Sequence, residues 1–172
     1  MTLIVVLGLI GLFFFMRRSR EKPYSFKWIV SLSKHERFRN PWLMGVLLFG
    51  LNLFLFSATA LILYGMTFMM IPFIHLVVMA AATASSVLAW QSIVYSRDWG
   101  KGERLKVGMV GSSFYLFLFL FILYKWVTYV PRYPGEDEFM SAIGYFMAEL
   151  VTGMAFVICF VMIVFLPVDK RV

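Results

Sequence analysis

Fourteen of the sixteen Lys and Arg residues in this chain fall in three short segments separated by long apolar stretches. The first segment carries Arg17, Arg18, Arg20, Lys22, Lys27, Lys34, Arg37 and Arg39. The second carries Arg97, Lys101, Arg104 and Lys106, and the third Lys170 and Arg171. Short loops rich in Lys and Arg stay on the cytoplasmic side of a membrane. One pattern therefore both counts the spans and orients them.

Composition points the same way. The 172 residues are 62% hydrophobic and 15% charged, whereas an ordinary soluble domain is roughly half apolar and about a quarter charged. A bilayer core about 30 Å thick takes about 20 apolar residues as a helix. Five stretches qualify, near residues 2–16, 42–64, 71–95, 107–130 and 141–166, and they leave no room for a separate soluble domain. The expected fold is an all-α, polytopic five-helix transmembrane bundle in the cell membrane. Its amino terminus lies outside, its carboxyl terminus is cytoplasmic, and residues 17–41 form a basic cytoplasmic juxtamembrane segment. The first span is the shortest. It is followed by Arg17-Arg18-Ser19-Arg20 rather than by small residues suited to cleavage, so it reads as an uncleaved anchor.

The loop at residues 131–140 sets Arg132 against Glu136, Asp137 and Glu138, and it falls outside in this arrangement. The three carboxylates read as the start of the fifth helix, where negative charge complements the helix dipole. Trp42, Tyr64, Trp90, Tyr95, Trp126 and Tyr129 lie near span ends, where amphipathic rings favour the headgroup level. The net charge of +7 is accounted for by residues flanking spans. Nucleic acid is thereby set aside as a partner, and anionic headgroups take its place.

Between the first two spans the alternation of Tyr24, Phe26, Trp28, Val30 and Leu32 with Ser and Lys has the period of a strand. A lone strand has no pairing partner, so a helix lying in the inner interface is the expectation. Arg17, Arg18, Arg20, Lys27, Trp28, Lys34, Arg37 and Arg39 would then dock to lipid or to a partner protein.

Polar residues inside spans are where function would show, because hydrocarbon offers them no partner. Gly45, Asn52 and Thr59 recur every seven residues and form one stripe on the second span. Thr83, Ser85 and Ser86 sit at similar depth on the third, within a run of small residues that admits a close neighbour. Asn52 and these hydroxyls read as helix-packing groups. Towards the outer face His75, Lys125 and Glu149 lie on three different spans at similar depth. Convergence of these three would make a titratable outward-facing site.

The residue inventory removes several chemistries. Two histidines, one of them in the basic segment, do not make a bis-histidine haem within the membrane, and no His-Glu-x-x-His pair is present for zinc. The single Cys159 forms no intramolecular disulfide. Ser112 and His75 belong to opposite faces, which rules out a Ser–His dyad. No cofactor, metal site or catalytic residue is expected. Two functional expectations follow. The first is a non-catalytic accessory, assembly or regulatory subunit, bound to another membrane protein or to copies of itself. The second is a small oligomeric transporter or channel subunit using Glu149, Lys125 and His75.

Overall fold

The structure, a computed structural model, describes residues 26–33, 35–68, 73–131 and 137–165, the side chains of Trp28, Ser33 and Arg37 excepted. All of its regular structure is helical. A short α1 (Lys27–Ser33) and a 3-10 turn (Glu36–Arg39) precede four long helices. These are α2 (Pro41–Met66), α3 (Ile74–Tyr95), α4 (Lys101–Val127) and α5 (Glu138–Phe165). All four long helices are long and apolar enough to cross a membrane. At 1.5 Å per residue each exceeds the roughly 30 Å of hydrocarbon. At most 33% of the most apolar stretch of any of them is buried within the protein, so the rest requires apolar surroundings. The expected span at residues 2–16 lies outside the described residues.

Local signals set the helix starts. Asn40 caps α2, its side-chain oxygen accepting from the Trp42 N–H at 3.0 Å, and Pro41 occupies the first turn where it forfeits no bond. Asp137 accepts from the Met140 N–H at 3.1 Å at the start of α5. The Gly100 N–H donates to Glu103 Oε2 at 3.0 Å, and this single contact helps start α4 at Lys101. Hydropathy had placed the start near residue 107. The helix runs through the basic stretch because its backbone bonds continue past the edge of the apolar stretch.

The helices alternate in direction. Gly45 lies against Val107 and Val110, and Phe49 meets Phe114 and Phe117, so α2 and α4 run in parallel. Gly108 meets Phe160 and Val164, while Tyr129 meets Tyr145, so α4 and α5 are antiparallel. Up-and-down order brings Arg39, Arg97, Lys101, Arg104 and Lys106 to one end of the bundle, with Lys125 and Glu138 towards the other.

The core lies towards the basic end. Met44, Leu48, Trp90, Ile93, Val94, Val107, Phe114, Met162 and Ile163 form it, with Ile29 of α1 fully buried among them. The basic arm folds back onto α3 here, where the Phe26 N–H donates to Ser92 Oγ at 2.8 Å. Trp99, in the α3–α4 connection, closes the same end and donates its indole N–H to the Ile93 carbonyl at 3.1 Å. Glycines let the helices approach. A Cβ on Gly111 would overlap the Leu48 side chain, and one on Gly108 would lie 2.9 Å from Val164 Cγ2.

Candidate functional site

The centre of the bundle is organised by one side chain. Asn52, fully buried on α2, accepts the Trp90 indole N–H at 2.7 Å through Oδ1. Its Nδ2 donates to the Gly111 carbonyl at 3.0 Å and lies 3.9 Å from Cys159 Sγ. A single amide thus reaches α3, α4 and α5 from α2. An amide group offers one acceptor oxygen and two N–H donors, and here both ends are engaged by protein. Hydrogen bonds of this kind between membrane helices each contribute about 0.6–2 kcal/mol. Gly111 is essential to the geometry, because only a residue without a side chain lets Leu48 and Asn52 approach its backbone. The role is structural, for the node leaves no polar atom of Asn52 free for chemistry.

Trp90 had been placed at the headgroup level by its position near a span end. It is instead 4% exposed in the core. The indole N–H finds its acceptor in Asn52 rather than in water. Trp90 and Cys159 were the node members that sequence reasoning missed. The available signal was slight: Trp90 stands five residues inside Tyr95 rather than at the helix end.

Outward from the node, α2, α3 and α5 part to leave a cavity of about 260 Å³. Leu55, Phe56, Thr59 and Leu63 of α2 face Met79, Ala82, Thr83 and Ser86 of α3 across it. Trp90 and Tyr115 form its floor, and Thr152 and Ala155 of α5 line another wall. Its threonines are satisfied by their own helices. Thr59 donates to the Leu55 carbonyl at 2.7 Å, Thr83 to Met79 at 2.9 Å, and Thr152 to Ala148 at 2.8 Å. Ser86 lies beside the Tyr115 hydroxyl. Ser85, beside them, bonds the Ala81 carbonyl at 2.8 Å and does not line the cavity.

The three outer titratable residues make no ion pair with one another. His75 is exposed, and the register that sets Trp90 beside Cys159 places it level with Gly144, more than a turn outward of Glu149. Lys125 is exposed, with Nζ 5.8 Å from the centre of the Phe121 ring. Glu149 is half-buried, and its Oε1 is enclosed with no hydrogen-bond partner. It lies one turn from Tyr145, which meets Tyr129, and one turn from Gly153, which faces Phe119. Glu149 therefore belongs to the face turned towards α4. No ion pair joins the three residues, and none of them lines the cavity.

Compared with family models, curated proteins and solved structures, the chain matches none. The residues themselves carry the rest of the reading.

At the basic end the side chains hold the loops in place. Arg97 donates to the Arg39 carbonyl at 3.0 Å, pairs with Glu103 at 3.4 Å and lies 4.8 Å from the centre of the Trp99 ring. Lys106 Nζ stands 5.9 Å over the exposed Trp42 ring. Lys27 and Arg39 are exposed. Arg17, Arg18, Arg20 and Lys34 lie outside the described residues, as do the side chains of Trp28 and Arg37. Among the described residues no group of three or more His, Cys, Asp or Glu is placed to hold a metal ion.

Proposed function

We propose that this chain is a non-catalytic subunit of a membrane assembly, oriented with its basic end in the cytoplasm. The observation that supports it most is the use of the central polar groups. Asn52, Trp90 and Gly111 spend their hydrogen bonds on holding four helices together, and the cavity beside them presents no acid–base pair. The remaining distinctive surfaces suit contact. The basic end displays Lys27, Arg39, Lys101 and Lys106 beside the exposed Trp42, Leu43 and Leu105. Such a face fits a partner protein in the inner interface, with anionic headgroups around it. Purification from native expression in mild detergent tests the reading. Co-elution of one membrane partner in fixed ratio, lost when Lys101 and Lys106 are both changed to Glu, is expected. Isolation as a partner-free monomer would sink it.

A second reading, a small oligomeric transporter or channel subunit, has one observation in its favour: the enclosed Glu149 carboxyl oxygen without a partner. On that reading Glu149→Gln abolishes pH-dependent flux in proteoliposomes. Unchanged flux, or no flux of any substrate by the wild-type chain, removes it.

A further inference from the structure

We infer that the cavity between α2, α3 and α5 holds one acyl chain of a bilayer phospholipid, taken in sideways from the leaflet opposite the basic end. The inference goes beyond the assembly reading and does not depend on it.

Shape decides the class of occupant first. Along α2 the lining runs from Leu55 to Leu63, eight residues, or about 12 Å at 1.5 Å per residue. A volume of about 260 Å³ over that length gives a mean section of about 20 Å² for the centres of guest atoms, or about 50 Å² once the radius of a water-sized guest is added at the walls. Non-bonded carbons pack about 4 Å apart, so a single alkyl chain needs a section of roughly 16–20 Å². An α-helix about 10 Å across needs roughly 80 Å². The cleft therefore has room for an alkyl chain, and a whole helix from a second copy or a partner does not fit inside it.

Chemistry decides next. The lining is mostly aliphatic and aromatic, and most of its polar groups are already engaged. Thr59, Thr83 and Thr152 donate to carbonyls of their own helices, and the Trp90 N–H to Asn52. Apart from the adjoining Ser86 and Tyr115 hydroxyls, no lining side-chain donor is left to reward a polar ligand for losing water. Apolar cavities of even about 150 Å³ stay dry and take apolar guests. A hydrated substrate is disfavoured on that ground, and a hydrocarbon tail is not.

Access completes the argument. Phe56, Met79 and Val151 line the cleft yet are 43%, 48% and 60% exposed, so it opens on the outer surface of the bundle. At that depth the surface faces lipid tails. Leu63 stands one turn from the end of α2, which puts the mouth near the headgroups. The floor at Trp90 and Tyr115 lies deeper, level with the Asn52 node. A chain entering there points its methyl end at the floor while its headgroup stays at the interface.

The test uses the intact chain, without any partner, in liposomes containing phosphatidylcholine with a diazirine on one acyl chain. With the diazirine near the methyl end, illumination and peptide mass mapping should find adducts at Trp90, Tyr115 and Thr152. With the diazirine near the carbonyl end, adducts should move to Leu63 and Met79. Ala82→Phe should remove the inner adducts. The wild-type position dependence stands even if that variant misfolds. Adducts confined to outward residues such as Leu61 and Val77 for both probes, or none in the protein, would overturn the inference. So would inner adducts that persist undiminished in a folded Ala82→Phe chain.

Discussion

The two halves of α3 are built on opposite terms. From Ala89 to Val94 six consecutive residues are buried, so the helix is covered on every face. From Ile74 to Leu88 none is buried among the described residues. Yet the exposed half is rich in Leu, Val, Met and Ala, while the buried half contains Trp90, Gln91 and Ser92. In water the opposite would hold. Lipid tails are as apolar as Leu, so apolar side chains gain little by turning inward, whereas polar ones gain hydrogen bonds. In the buried half polar groups are satisfied across elements, Trp90 by Asn52 and Ser92 by the Phe26 N–H, whereas Thr83 and Ser85 of the other half bond carbonyls of their own helix. The contrast shows where this bundle is welded and where it is free to admit something else.

Substitutions can break or sharpen that contrast, the largest effect first. Gly111→Val should be the most damaging, because its side chain meets Leu48 where α2 and α4 touch. Overpacking of this kind costs about 3 kcal/mol, and reversible unfolding in mixed micelles would read it. Asn52→Leu keeps the branched outline with somewhat greater bulk, but leaves the Trp90 N–H and the Gly111 carbonyl without their partner. A loss of about 2 kcal/mol is expected in the same assay, with Trp90 fluorescence shifted by the change around its indole. Ser92→Ala removes the bond that ties the basic arm to α3. About 1 kcal/mol is expected, read chiefly as faster proteolysis within residues 26–40 and little change in the four long helices. Ala82→Leu, in the loose half, should move stability by less than about 1 kcal/mol in either direction. If it proved as damaging as Gly111→Val, the idea of a welded half and a loose half would fail.

Much of the architecture was legible along the chain. The apolar runs outline the long helices, and among the described residues Lys27, Arg39, Arg97, Lys101, Arg104 and Lys106 gather at one end of the bundle. The helix starts were read less well. Lys101–Lys106 looks like loop by hydropathy, but a helix needs only backbone bonds and a cap, and Gly100 with Glu103 provides it. The spacing of Gly45, Asn52 and Thr59 marks a stripe, and Asn52 is where the spans meet. Which groups Asn52 would bond was not legible, because Trp90, Gly111 and Cys159 are distant in the chain and unremarkable one by one. Similar depth made His75, Lys125 and Glu149 look like a group. Depth along the membrane normal does not determine direction around a helix, and no ion pair joins these three.

The sequence by itself determined that this chain is made of helices suited to a membrane and which ends of those helices carry the charge. Both follow from one-dimensional patterns, apolar run length and the placement of cations. Only the tertiary structure decided that one amide joins four helices and that a largely apolar cleft opens beside it. Those properties depend on rotation and register between helices. They are set by contacts such as Gly111 against Leu48, which no residue announces alone.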